Sequence, residues 1–237
     1  MTNPKIVFAF HNVSNSFNLG LNNLTIKKYT KILKFISASY PHASICFDDA
    51  YEDIFRYLYK LSEEPMVDKI IFPITNYIGR NNTWDINFYI NRKKHINKEQ
   101  LLLLYKSGWE IGSHGHNHIS YAKLSNKEIV EDLIKSKCIL EDLIGEEVNT
   151  FTPPFGYIDK KHIELIHKAG YNKLLLNDCY IKNMDDFYGL DVIKRINVYS
   201  IDSLSSLKNR ADNNFLQKKI ETAIHSCSKA TVFFKHL

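Results

Sequence analysis

Strand-like and helix-like segments alternate along nearly the whole of this chain of 237 residues. No Gly/Ser/Pro-rich linker interrupts them, so residues 1–237 read as one domain. Repeated strand–helix units call for a mainly parallel sheet covered by helices, either a closed barrel or an open doubly wound sheet. The position of the chemistry separates the two. His11, Asp48-Asp49, His114 to His118, the Pro153-Pro154-Phe155-Gly156 turn and His236 all follow the carboxyl ends of different expected strands. A barrel gathers those ends around one mouth, where such folds carry their functional groups. The expectation is therefore an α/β, barrel-like fold.

Individual elements carry their own signals. Strands are expected at Lys5 to Phe10, Ser44 to Phe47, Lys69 to Ile74, Trp109 to Ser113, Val148 to Thr152, Lys173 to Leu176 and Val192 to Val198. Thr25 can cap a helix with the apolar face Ile26, Tyr29, Ile32, Leu33 and Ile36, stopped by Pro41. Helices are also expected over Tyr51 to Leu61 and Asp159 to Ala169. Asn97 with Gln100, and Ser125 with Glu128, form capping boxes, the second opening a helix that runs to Leu143 and stops at Gly145. Asn76 to Arg92 is an excursion, and a helix over Phe215 to Ser226 and a strand over Thr231 to Phe234 close the chain.

Composition narrows the class of protein. At 44% hydrophobic and 13% aromatic residues there is ample material for a core. No apolar run is long enough to span a membrane, and the first residues lack a secretory pattern. The expected location is cytoplasmic, with peripheral membrane association compatible. Cys46, Cys138, Cys179 and Cys227 lie far apart without a C-x-x-C pair, so buried thiols are expected rather than disulfides. The net charge of +5 is dispersed, which fits solvated helix faces and argues against a nucleic-acid partner. A basic surface would suit an anionic glycan or a lipid headgroup.

Adjacent aspartates at a strand end are commonly loop caps. Here the apolar run Ile45-Cys46-Phe47 delivers Asp48 and Asp49 to the rim of the expected mouth. Neighbouring side chains diverge, so one carboxylate can bind a metal while the other stays free as a base. Three histidines fall within five residues at His114, His116 and His118. A polar loop is the ordinary alternative, but a spacing of four places the His114 and His118 rings on one side of a helical turn, with His116 pointing elsewhere. Asp49 with these two imidazoles can hold one divalent ion, leaving Asp48 beside it.

In this order, Phe47-Asp48-Asp49, His114-x-x-x-His118, Pro153-Pro154-Phe155-Gly156 and Phe234-x-His236 resemble the polysaccharide deacetylases with a NodB-like domain. The resemblance spans nearly the whole chain. It implies a single deformed TIM-like (β/α) barrel with seven or eight strands. It also implies a divalent metal on Asp49, His114 and His118, zinc foremost, with cobalt, nickel or manganese as alternatives. By the same likeness Asp48 is the general base, the Phe155 backbone N–H assists the oxyanion and His236 is the general acid. The implied substrate is an N-acylated amino sugar in a glycan or in a lipid- or nucleotide-linked precursor. His11 resembles the Tyr-His opening of some subfamilies and, with Pro154, is a candidate to line the substrate pocket. Trp84 and Tyr157 are candidates to stack on sugar rings, against ordinary packing as the plainer account.

The chain departs from the family pattern in four places, one being that the family's Asp-and-Trp motif near the late strands is not recognisable. Ala50 stands where a glycine usually follows the aspartates, Phe155 replaces a tyrosine, and Thr152 replaces an arginine that orients the catalytic aspartate. Arg195, on a late strand, is the candidate replacement for that arginine; the plainer expectation is a partly exposed arginine at a strand edge. Two other functions suit the same residues. A carbohydrate-binding relative could keep the fold without turnover. A mononuclear Fe(II) oxygenase could use two histidines and a carboxylate.

Overall fold

The computed structural model describes residues 6–15, 21–59, 67–83, 93–156, 158–177 and 187–212. In chain order the strands are β1 (Ile6–Phe10), β2 (Asn12–Val13), β3 (Asn23–Leu24), β4 (Ser44–Asp49), β5 (Asp68–Pro73), β6 (Glu110–Ile111), β7 (Thr150–Phe151), β8 (Lys173–Asn177) and β9 (Asp191–Asn197). Seven of them form one sheet in the order β6-β5-β4-β1-β9-β8-β7, and every neighbouring pair is parallel. The two ends of that order meet. The backbone N–H of Ser113 donates to Thr150 O at 2.8 Å, and that of Thr152 donates to Ser113 O at 3.0 Å. The result is a nearly closed seven-stranded barrel.

Past β6 the pairing runs on to both sides. Gly112 and His114 N–H bond β5 at Ile71 O and Pro73 O, and Ser113 between them bonds β7 at Thr150 O. This alternation is that of an inner strand, so β6 has a neighbour on each side. Gly112 also makes room inside. A Cβ there would lie 2.2 Å from Cε1 of Phe72, so only glycine lets that ring occupy the bore.

Strand alternation divides the core in two. Val7, Ala9, Cys46, Ile70, Phe72, Leu175 and Ile193 form one buried cluster, which fills the barrel. The intervening residues, among them Phe8, Phe10, Ile45, Phe47, Ile71, Leu174 and Ile196, join a larger cluster under the helices. Those helices are α1 (Ile26–Ser39), α2 (Glu52–Leu58), α3 (Lys98–Lys106), α4 (Asn126–Ile144), α5 (Lys160–Lys168) and α6 (Leu204–Ala211). Thr25 caps α1, and Tyr29, Ile32, Leu33 and Ile36 are its buried face. Both expected capping boxes are present, and Gly145 ends α4 at φ 75°.

Some expectations fail. The α6 helix and the small β2–β3 pair had no clear sequence signal. Cys46 is a buried free thiol as expected, whereas Cys138 is exposed on α4 because its position falls outside the helix's apolar stripe. The helix and strand expected beyond residue 214, Cys179 and Cys227 lie outside the described residues. No helix among the described residues is long and apolar enough to cross a membrane.

Candidate active site

The last two residues of β4 send their carboxylates to different partners. Asp48 continues the inward alternation of Cys46 and stays in the extended strand. Asp49 turns out of it at φ 65°, followed by Ala50 at φ 52°. Each left-handed non-glycine residue costs roughly 1–2 kcal/mol, so neighbouring structure holds this turn in place. The turn directs Asp49 Oδ1 to within 3.6 Å of His114 Nε2 and 3.4 Å of His118 Nε2.

These three groups fit one divalent cation. All three residues are buried, and their donor atoms lie within 4.8 Å of one another. The two separations are longer than an ordinary hydrogen bond. The shorter falls within, and the longer just above, the roughly 3.3–3.5 Å expected between two ligands on one tetrahedral ion with bonds of about 2.0–2.1 Å. His114 is also in the tautomer that binds. Its Nδ1 lies 2.8 Å from the carbonyl oxygen of Thr152, which can only accept, so the proton is on Nδ1 and the Nε2 lone pair faces Asp49. Burial lowers the His114 pKa, against the opposing pull of Asp48 and of that hydrogen bond, and so favours the neutral ligating form.

The segment carrying the histidines is not the helical turn expected from its spacing. Gly115 at φ 77° and His118 at φ 55° break any helical path. The loop is held from α4 instead: the Asp132 carboxylate accepts the backbone N–H of His116 and of Asn117, each at 2.9 Å. A Cβ on Gly115 would come within 2.6 Å of Asp132 Oδ2, so glycine permits the approach. His116 turns away from the trio and meets Thr75 Oγ1 at 2.8 Å. Asp132 escaped the sequence reading, although an aspartate on the buried face of α4 among Ile129, Leu133 and Leu140 was a signal.

Asp48 is paired from across the barrel. Arg195 Nη1 donates to both of its oxygens, each at 2.8 Å, and Arg195 Nε donates to Asn177 Oδ1 at 3.2 Å. Arg195 is not the partly exposed edge residue of the plainer expectation. It is 3% exposed, on β9, between β1 and β8. Burial pushes the Asp48 carboxyl up, but Arg195, His114 and His11 together hold it below its ordinary value. Asn177 was missed because it stands one residue beyond the expected strand, at the carboxyl end where the other polar groups gather.

His11 Nε2 lies 3.8 Å from Asp48 Oδ2, and burial lowers the His11 pKa to about 4 despite that carboxylate. Unfolding returns it to 6.5, so at lower pH the unfolded chain takes up a proton that the folded protein refuses. Stability from the neutral imidazole is thus complete above pH 6.5 and is lost as the pH falls through about 4. The loss amounts to about 2–3 kcal/mol after allowing for the ring's partial exposure. Urea unfolding of metal-free protein at neutral and acid pH measures it. An equal acid loss in His11→Phe would show that this imidazole is not the source.

Thr152 occupies the place of the motif arginine without its function; it is buried and its Oγ1 donates to Leu175 O at 3.2 Å. Phe155 has φ 60° in the short turn Pro154–Gly156, and its ring lies 4.6 Å, centroid to centroid, from that of His118. Pro154 is buried beside Gly115. Trp84, Tyr157 and His236 lie outside the described residues.

Comparisons with known proteins agree on one family. The model of the Polysaccharide deacetylase family matches residues 37–174. Peptidoglycan-N-acetylglucosamine deacetylase of Bacillus cereus is 31% identical over 90 residues, 38% of this chain and 40% of that protein. Poly-beta-1,6-N-acetyl-D-glucosamine N-deacetylase of Staphylococcus epidermidis is 25% identical over 158 residues, 62% of this chain and 52% of its own length. This chain spans about half or less of the length of the curated relatives it matches. Among solved structures, IcaB from Ammonifex degensii superposes with a TM-score of 0.69 at 14% identity, over 86% of this chain and 95% of that one.

Proposed function

Because this chain belongs to the polysaccharide deacetylase family, we propose that it is a metal-dependent hydrolase acting on an amino sugar in a glycan or glycan precursor, from which it removes the N-acetyl or another small N-acyl group. One observation carries this function: two adjacent buried carboxylates have separate surroundings, Asp49 facing two imidazoles and Asp48 facing a guanidinium. Asp49, His114 and His118 hold the ion, with zinc the first choice. When bound, the ion supplies Lewis acidity for the amide carbonyl and lowers the pKa of water.

The chain's own groups do the rest. Asp48 accepts the proton of the attacking water, and Arg195 fixes the carboxylate's orientation while keeping it ionised. The Phe155 backbone N–H donates to the oxygen on which charge develops. His236 gives a proton to the departing amine nitrogen, leaving a free amino sugar and a carboxylate. His11 and Pro154 border the sugar, and Trp84 and Tyr157 stack on it. Residues 1–237 act as one domain. The names of the two relatives above support N-acetylglucosamine polymers as the substrate class. The arginine missing at Thr152 is one of the reasons to suspect binding without turnover. Arg195 weakens it, since Asp48 keeps a guanidinium partner.

The test is acetate release from chitin oligomers and from poly-β-1,6-N-acetylglucosamine, using metal-reconstituted and chelator-treated protein. Release that depends on metal and falls in His236→Ala is the expected result. Stoichiometric metal with no release from either polymer would count against turnover on this class. A rate lost in His11→Ala but kept in His236→Ala would move the acid role to His11.

A further inference from the structure

His95 is buried, with its imidazole between the rings of Tyr51 and Tyr77, at centroid distances of 4.9 and 5.4 Å. Its Nδ1 is 2.6 Å from the carbonyl oxygen of Asp49. A carbonyl only accepts, so Nδ1 carries the proton and Nε2 the lone pair. That Nε2 is buried and has no hydrogen-bond partner among the described residues. Phenylalanine would fill the same slot between the tyrosines and leave no buried nitrogen unpaired. What histidine adds there is the N–H aimed at Asp49.

The recipient is the strained part of the site. Asp49 and Ala50 are consecutive non-glycine residues at φ 65° and 52°. A strip of chain around His95 is laid along this turn. Ile96 N–H donates to Ala50 O at 2.8 Å, and Glu52 N–H donates to Lys94 O at 2.8 Å. The strip is anchored in turn by His95 N–H on Arg80 O at 2.9 Å, and the Tyr51 hydroxyl accepts from Asn82 at 2.9 Å. Every carbonyl of the left-handed pair is therefore engaged, one of them by a side chain.

We propose that His95 is a positioning residue of the metal centre: its Nδ1–H, donated to Asp49 O, holds the left-handed backbone that aims the Asp49 carboxylate at His114 and His118. This rests on the metal site proposed above. Partners behind metal ligands typically change affinity by roughly 10–100-fold when removed.

Three variants separate the donor from the bulk. His95→Phe keeps a ring against the two tyrosines and loses the donor. His95→Asn places an amide N–H close to the Nδ1 position, and His95→Gln carries its amide farther out. Each is titrated with Co²⁺, followed by visible absorbance, and with Zn²⁺ against a chromophoric chelator. Wild type and His95→Asn are expected to bind alike, with His95→Phe and His95→Gln weaker by roughly 10–100-fold and altered in Co²⁺ spectrum. Equal affinity and spectrum in His95→Phe overturn the proposal. If that variant does not fold, equal binding by the Asn and Gln variants overturns it. Wild type that binds no divalent ion removes the metal site itself, a different result from a site indifferent to His95.

Discussion

Asp48→Asn is expected to slow acetate release by roughly 10²–10⁴-fold, the usual worth of a positioned general base, while the protein still takes up one metal ion. The substitution keeps the volume of a side chain that is 1% exposed. It also leaves Asp49, His114 and His118 untouched, so a lost rate with retained metal isolates proton transfer from metal binding. Asparagine can accept one hydrogen bond from Arg195 but brings no charge and cannot take a proton from water. Steady-state release on metal-reconstituted protein, beside metal titration of the same sample, measures both. An unchanged rate would remove Asp48 from the reaction.

Arg195→Met should destabilise the fold by about 3–5 kcal/mol, because it leaves one charge of a buried pair without its partner. Both members are nearly inaccessible, at 3% and 1% exposure, so water cannot replace the lost guanidinium. The Asp48 carboxyl, now held low mainly by Arg195 against its burial, would rise. The sign for stability follows. A depressed carboxyl stabilises the fold above its unfolded value and loses that contribution as the pH falls through the folded one, so the variant should show less acid destabilisation than wild type. The acid limb of the rate profile should move to higher pH. Adding Asp48→Asn to Arg195→Met should recover part of the stability, since the orphaned charge is gone. Equal denaturation midpoints for wild type and Arg195→Met would contradict a stabilising pair.

Local signals were readable in the chain, and distant ones were not. Thr25, the Asn97–Gln100 box and the Ser125–Glu128 box depend on neighbours within a few residues, and the structure has all three. The order of polar residues at strand ends indicated a barrel because strand direction alone decides which ends gather. The Asp48–Arg195 contact joins residues 147 apart, and Arg195 was a candidate only through the family resemblance, because no local pattern reveals what lies across the bore. Spacing also misled. Residues four apart in sequence do converge at His114 and His118, but a left-handed loop tied to Asp132 brings them together, not a helical turn.

The filled bore restricts the route a polymer can take. Phe72, Cys46, Leu175 and their neighbours plug the barrel, and the Asp48–Arg195 pair lies across its upper end. On the proposed function, a glycan would not thread this barrel but would meet the site from the rim and leave by that same side.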